Sequence, residues 1–432
     1  MDMHQKCAVS SVTNFVGFFH GPNHTGVMEK LQAFKFELQP SGKQQLDMRR
    51  FAGSCRFVYN KALALQKENY ELGGKFISYV EMAKKLTCWR NSEATSWLKE
   101  SPCHSLQHAL KDLEKAFKGF FSKRTKFPRF KKRDSGSSFR YPDSQQFELD
   151  EANSRIKLPK LGWVKYRKSR EILGELRNVT VSCSGGKWFV SIQTRREVEV
   201  PLKKEGAKVG IDMGIINFAT MSNGCQIAPL NSFKKHKAVL AKYQKRMSRK
   251  KKFSNNWKKA RLKVQKVHTR IANARKDFLH KTTTEISKNH ALVCIEDLQV
   301  RNMSRSVEEV VKESSKNVRH KAGFNRSILD QGWSMFREQL EYKMKWAGGV
   351  LLVVPAYNTS RECPSCGHTS AENRKTQAMF QCIECDYINN ADMVGAINIL
   401  ERGQRLLACG ERVKLSRSKK QEPAEVSYLA FS

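Results

Sequence analysis

No stretch of this 432-residue chain approaches the roughly 18 consecutive apolar residues of a membrane-spanning helix, and its basic residues are spread over several segments. No membrane partner is expected. Acidic residues are scarce: 41 stand against 79 Lys and Arg, for a formal charge of +38. That imbalance far exceeds what solubility needs, and the partner it favours is nucleic acid. The shortage is sharpest between Asp212 and Asp277, where no carboxylate occurs. Cysteines outside one cluster (Cys7, Cys55, Cys88, Cys103, Cys183, Cys225, Cys294 and Cys409) follow no framework spacing, which excludes a disulfide scaffold and fits a reducing compartment. Near the start, a mildly apolar run from Val12 to Phe19 is broken by Asn14 and Gly17 and precedes no convincing cleavage site, so secretion is not expected.

Four cysteines are organised. Cys363 and Cys366 form one CxxC pair and Cys382 and Cys385 a second, with fifteen residues between them. Four thiolates at that spacing can close a tetrahedron around one Zn2+, and the polar stretch between them is short enough for two small hairpins. A structural zinc ribbon is the expectation. Redox-active CxxC pairs are the competing reading, but they lack a βαβ setting and strand-to-helix flanks.

Hydrophobic periodicity divides the rest. MEKLQAFKFELQP, from Met28, alternates like a first strand, and the segment before it reads as an extension or an upstream start. From Gly42 to about Lys123, Met48, Phe51, Cys55, Val58 and Ala62 recur three or four apart, as in a small helical domain. Residues 126–200 are β-rich: FPRFKKR is basic and aromatic, and NVTVSCSGGKWFVSIQTR reads as two strands joined through Gly185 and Gly186. After Pro201, short strands at KVGIDMG, NFATMS, ALVCIED and VLLVVP alternate with helical stretches, an α/β layout. Between the second and third of these strands, Trp257, Ala260, Val264, Val267, Ile271, Ala274 and Phe278 recur at steps of three and four, which predicts a basic helical hairpin with one apolar seam. A solvated coiled-coil face explains the seam. It does not explain charge of one sign, which repels itself unless phosphates neutralise it; Lys250, Lys251, Lys252, Lys258, Lys259 and Arg261 are the candidates for that contact. Beyond Arg402, LSRSKKQEPAEV reads as a disordered tail.

Three acids carry the chemistry. Asp212 stands in the apolar strand VGIDMG, Glu296 ends ALVCIE, and Asp392 follows the second CxxC pair at a helix start. Singly they read equally well as a turn acid, a loop acid and a helix N-cap. An acid in a buried strand is costly to ionise unless something positive binds it, and three carboxylates on two strands and a helix can hold a pair of Mg2+ ions roughly 3.5–4 Å apart for phosphodiester hydrolysis. Oxygen ligands select magnesium where the thiolates select zinc. If the strand continues, Asp297 points away from Glu296 and supports the site from behind or caps the loop.

These residues resemble TnpB, the OrfB-type family of transposon-encoded RNA-guided DNA endonucleases, related to the ancestors of type V CRISPR effectors. The resemblance spans about residues 28–402 and rests on RRFAGSCRFVYNKALALQ, FPRFKKR, GIDMGIINFAT, IEDLQVRNM, the SRECPSCGH to CIEC ribbon and DMVGAINIL. The chain departs from many relatives at Val394 and Gly395, where they carry Asn and Ala, and at Asp386, where they carry Gly; Asp tolerates a left-handed turn, so the ribbon should survive. The resemblance implies a multidomain α/β and α+β chain with an RNase H-like (RuvC) nuclease domain. Its metal ligands would be Asp212, Glu296 and Asp392, and a zinc ribbon would be inserted before the last acid. The expected divisions are an N-terminal extension (1–27), a wedge-like β-module (28–48 and 126–203) split by a helical recognition domain (49–125), a nuclease domain with the basic hairpin (204–355), the ribbon (356–388), a last nuclease segment (389–402) and a tail (403–432). In the front half, Arg56 and Arg129 would take phosphates, Tyr59 or Phe130 would stack on a base, and Asn60 would join them; core aromatics are the competing account. The implied function is magnesium-dependent, guide-directed cleavage of double-stranded DNA next to a short motif, with a guide RNA encoded near the gene, in the cytoplasm of a prokaryote, nucleoid-associated when bound to DNA, and as a monomer. The alternatives are a nuclease-inactive guide-loaded repressor and a strand-transfer transposase.

Overall fold

The computed structural model describes residues 26–133, 136–202, 205–305 and 315–408. The N-terminal extension up to residue 25 and the tail from residue 409, with Cys7 and Cys409, lie outside the described residues.

Alternation sets the first strand. β1 (Val27–Gln39) turns Phe34, Phe36 and Leu38 inward. It pairs antiparallel with β7 (Lys187–Glu199), from Val27 opposite Glu199 to Glu37 opposite Phe189, and near its end with β5 (Gly162–Tyr166). With β2 (Ser137–Tyr141), β3 (Glu148–Asp150), β4 (Arg155–Leu158) and β6 (Glu175–Ser184) they make a seven-stranded sheet in the order β2-β6-β7-β1-β5-β4-β3. Gly185 and Gly186 join β6 to β7 at φ 58° and 83°, values that suit a tight hairpin turn and strain most L side chains.

Ser41, two residues past the end of β1, caps α1 (Gly42–Glu71). Its hydroxyl accepts from the Gln44 N–H at 3.3 Å, while Gln44 Oε1 accepts from the Ser41 N–H at 3.0 Å, a closed capping box. The helix therefore begins inside the stretch 28–48 expected to be β-module. α2 (Tyr79–Asn91) and α3 (Cys103–Phe121) follow. The helices have no core of their own: Met48, Val58 and Leu63 of α1 and Leu106 and Leu110 of α3 are buried in one cluster with Phe36, Tyr141, Val181 and Val190 of the sheet. Each such side chain contributes roughly 1.5–3 kcal/mol when removed from water, and the helices find that burial against one another and against the sheet.

The second sheet is built from β8 (Lys208–Asp212), β9 (Ala219–Met221), β10 (Gln226–Ile227), β11 (Leu292–Glu296) and β12 (Val350–Val354), in the order β10-β9-β8-β11-β12. β8, β11 and β12 are parallel; β9 and β10 run back by hairpin. Between β10 and β11 stand α4 (Ser232–Ser248) and α5 (Asn255–Asn289), the expected basic hairpin. Its seam is buried at Val264, Val267 and Ile271 against Leu240, and Phe278 packs into the main core at the hairpin's root. The short α6 (Val300–Met303), then α7 (Ser315–Gln331) and α8 (Trp333–Trp346), connect β11 to β12. Arg275 of α5 pairs with Asp330 of α7 at 2.6 Å, fixing that root.

One helix covers the other face. α9 (Ala391–Ala408) lies so close to β8 that a Cβ on Gly210 would stand 2.0 Å from the Ala396 carbonyl oxygen, and a Cβ on Gly403 would stand 2.1 Å from Cys294 Sγ. Any larger residue at either point would lift the helix. Residues 403–408, expected in the tail, belong to this helix, because Gly403 and Leu406 pack on the sheet.

Candidate active site and metal-binding ribbon

Strand parity decides which side chains meet. Val209, Ile211, Val293 and Ile295 enter the core under α5 and α8, whereas Leu292 and Cys294 face α9. Asp212 and Glu296 continue the second set at the ends of adjacent parallel strands, where Ile211 pairs with Ile295. α9 delivers Asp392 in its first turn. That acid is not the helix cap: Asn390 Oδ1 accepts from the N–H groups of Asp392 (3.0 Å) and Met393 (3.2 Å), which leaves the Asp392 carboxylate free for the site. The structure thus brings the three predicted acids together on one face. It also places Asp297 as parity requires, on the opposite side, paired with Arg337 of α8 at 2.5 Å.

Several partners had no signal in the sequence. The Thr359 hydroxyl donates to Glu296 Oε1, and the buried Asn398 holds that segment by donating to the carbonyls of Thr359 and Glu362, both at 2.7 Å. Val394, one of the two departures near the last acid, is buried against the ribbon, and Gly395 gives Asp212 room, since a Cβ there would lie 3.0 Å from Asp212 Oδ2. Arg374, from the ribbon, reaches Asp392 Oδ1 at 3.4 Å. Its charge also bears on both Asp212 and Glu296.

Burial pushes the Asp212 carboxyl up to about 7, and the charges of Glu296 and Asp392 add to the effect; Arg374 and a hydrogen bond from the Met213 backbone oppose it. Burial also raises Glu296, against the Thr359 hydrogen bond and the positive charges of Arg402 and Arg374. Asp212 would therefore be only partly ionised at neutral pH without a cation. Its folded-state value lies above the usual 3.8, so ionising it costs stability as pH rises from about 4 to about 7, by at most roughly 4 kcal/mol and less where its open edge admits solvent. In magnesium-free buffer, Asp212→Asn should melt above the parent protein at pH 8 and level with it near pH 4. A difference that does not change with pH would show that this acid is not buried as described.

The ribbon is built from two like knuckles. The N–H of Gly367 bonds to the Cys363 carbonyl at 2.9 Å, and the N–H of Asp386 bonds to the Cys382 carbonyl at 3.1 Å. Both residues are left-handed, at φ 77° and 53°, so Asp386 does adopt the conformation for which relatives use Gly. The first hairpin closes through a bridge between Glu362 and Thr369, the second through β13 (Met379–Gln381) and β14 (Ile388–Asn390). All four sulfur atoms lie within 4.8 Å of one another, with Cys363 to Cys385 and Cys366 to Cys382 each 3.6 Å. The edge of a tetrahedron with zinc–sulfur bonds of about 2.3 Å is about 3.8 Å, whereas a disulfide needs about 2.05 Å. The cluster fits a structural zinc. β14 runs straight into α9, and Cys363, Phe380, Cys382, Ala391 and Val394 share one small core, so the ribbon grips the turn that carries Asp392.

The front-half candidates divide. Tyr59 is buried at 5% exposure, with Lys131 Nζ 4.0 Å from its ring, so it is a core aromatic and not a base-stacking surface. Asn60 spends its amide on the Lys131 backbone, at 2.8 and 3.0 Å, and so anchors FPRFKKR. Arg56 is half-buried, while Arg129 and Phe130 are exposed, with Lys67 5.5 Å from the Phe130 ring. On the hairpin, Lys250, Lys251, Lys252, Lys258 and Lys259 are exposed, and Arg261 lies over the Trp257 ring at 5.4 Å. Changing all six to Gln should weaken nucleic-acid binding and flatten the slope of log affinity against log salt by up to about five, with little change in Tm because the seam is untouched. An unchanged slope would return them to a merely solvated face.

Comparison with known proteins agrees with this architecture. Residues 191–307 match the OrfB IS605 family model, described as "Probable transposase", and residues 333–399 match the Cas12f1-like TNB domain. Residues 28–75 match a model described as a helix-turn-helix domain, although here they form nearly all of β1 and the whole of α1, with the turn that follows it. The chain is 54% identical over 399 residues to the "Putative RNA-guided DNA endonuclease InsQ" of Escherichia coli K12, covering 92% of this chain and 99% of that one. It is 34% identical over 406 residues to a "Putative RNA-guided DNA endonuclease" of Streptomyces pristinaespiralis, covering 91% and 96%. Among solved structures, a Cas12f1–sgRNA–target DNA complex is similar in fold, with a TM-score of 0.52 at 12% identity over 86% of this chain and 98% of that one. The chain belongs to the OrfB (TnpB) family of the IS605 type.

Proposed function

We propose that the chain is an RNA-guided DNA endonuclease of a transposon that cuts phosphodiesters by two-metal hydrolysis. The observation that carries this reading is the gathering of Asp212, Glu296 and Asp392 on one face, with Asp212 pushed up to about 7 until a cation relieves it. The strand order, with three parallel strands flanked by a returning hairpin and covered by α9, supports the reading of this domain as a RuvC-type, RNase H-like nuclease. Two bound Mg2+ ions would activate water and stabilise the leaving oxygen. The chain's own residues prepare that site: Thr359 orients Glu296, Asn390 releases Asp392 from capping, and Arg374 steadies Asp392 while offsetting part of the crowded negative charge. The ribbon would hold one Zn2+ through Cys363, Cys366, Cys382 and Cys385.

The relatives named as RNA-guided DNA endonucleases suggest the guide-RNA and DNA partners, and the net charge of +38 supports them. A guide encoded near the gene, a double-stranded target, action as a monomer and a cytoplasmic, nucleoid-bound location complete the proposal. A nuclease-inactive repressor would have no use for Asp212 and Glu296, two acids that are expensive to bury. A strand-transfer transposase would use the same metals with a different nucleophile. The test is to purify the protein from cells that carry its own locus and sequence the bound RNA. One defined species ending in a variable segment is expected; random fragments would refute guidance.

A further inference from the structure

The turn between α4 and α5 carries an aromatic side chain that the hairpin's own packing does not explain. Phe253 is 64% exposed and sits at φ 69°, in the left-handed region that a bulky residue rarely adopts. Its ring meets Trp257 edge-on, with centroids 5.5 Å apart, and Lys252 Nζ lies 5.3 Å from it. Lys250, Lys251, Lys258 and Lys259, which flank the pair in the chain, are exposed. Below the tip the hairpin is braced: a Cβ on Gly186 of the β6–β7 turn would stand 2.9 Å from Leu262 Cδ1, and one on Gly185 would stand 3.0 Å from Thr269 Oγ1. Residues 249–261 therefore project past that brace. At 1.5 Å per residue, the tip lies about 37 Å along α5 from Leu279 in the nuclease core.

The bland account is a local apolar contact that sets the entry into α5, since Phe253 directly precedes the capping Ser254, whose hydroxyl accepts from the Trp257 N–H at 3.2 Å. That contact needs an apolar side chain, but not an aromatic one held in water among lysines.

We infer that Phe253, backed by Trp257, is a stacking platform for an unpaired RNA base, with the neighbouring lysines taking the flanking phosphates. The choice of RNA over DNA rests on the proposed function. The DNA strands must converge on the acids of the nuclease core, whereas the tip stands about 37 Å along α5 from Leu279 of that core, where a guide RNA that extends beyond its pairing segment offers loop bases.

The test uses the full chain and two synthetic RNAs: a stem-loop with 2-aminopurine in its loop, and the same stem fully paired. The parent protein should quench the loop fluorescence. Phe253→Leu, which keeps an apolar contact, should bind the stem-loop about tenfold more weakly and without quenching, at unchanged Tm and unchanged affinity for the paired stem. Phe253→Trp should restore both signals. Phe253→Gly, which suits the left-handed backbone, should lose the quench with Tm no lower than the parent's. The inference is overturned if Phe253→Leu binds and quenches as the parent does, if its loss is the same on the paired stem, if Phe253→Gly melts the hairpin, or if a DNA loop of the same sequence is bound and quenched equally. A chain found to carry no guide RNA would remove the proposed function while leaving the loop quench to be measured, so the two failures are distinct.

Discussion

Replacing Asp212, Glu296 or Asp392 by Ala should lower DNA cleavage by on the order of a thousandfold or more, while guide-dependent DNA binding stays within a few-fold of the parent's. The two effects separate because they have different sources. Binding comes from phosphate contacts spread over a chain of net charge +38 and from base pairing, whereas the acids only add negative charge beside the substrate. Removing the acid at Asp212 should also relieve the metal-free site, since burial and the charges of Glu296 and Asp392 make its ionisation costly. Asp212→Ala should therefore fold at least as well as the parent in magnesium-free buffer near pH 8. Full cleavage by any one variant would remove that residue from the site, and loss of folding would show that the acid is structural.

Loss of the ribbon's metal should be the second large effect, and it acts at a distance. Changing Cys363 and Cys382 together to Ser removes one ligand from each knuckle, and both side chains also belong to the small core that holds Ala391 and Val394. In a structural zinc site, binding energy is folding energy, so the ribbon should loosen, the strand leading into α9 should lose its partner, and Arg374 should leave Asp392. We expect zinc content to fall from one equivalent to none and cleavage to fall at least tenfold, although no carboxylate is altered. Retained stoichiometric zinc would refute the ligand assignment. Lost zinc with undiminished cutting would show that the ribbon does not position Asp392.

What the sequence discloses and what it hides follow from the range of the forces involved. Period-two alternation places Asp212 and Glu296 on one face and sends Asp297 to the other, because strand parity is a local property. The CxxC spacing and the left-handed tolerance of Asp386 are local too, and the knuckles form accordingly. Arg374, Thr359 and Asn398 escaped notice because their roles depend on contacts across 18 to 63 positions of chain, which no single-sequence pattern encodes. Tyr59 illustrates the opposite case: an aromatic beside Arg56 and Asn60 has the pattern of a nucleic-acid surface, but the core shared by the helices and the sheet buries it. The shared core of the helices and the front sheet was hidden in the same way, since periodicity marks an apolar face and not what covers it.

The most direct measurement of the central claim is cleavage of plasmid DNA by purified protein loaded with its co-purifying RNA in magnesium, repeated after the variable segment of that RNA has been rewritten to match a second site beside the same adjacent motif. The account predicts that the cut moves to the new site, that it disappears with Asp212→Ala, and that chelating magnesium stops it. Cutting that stays at the first site, or that proceeds equally without the RNA, would contradict it.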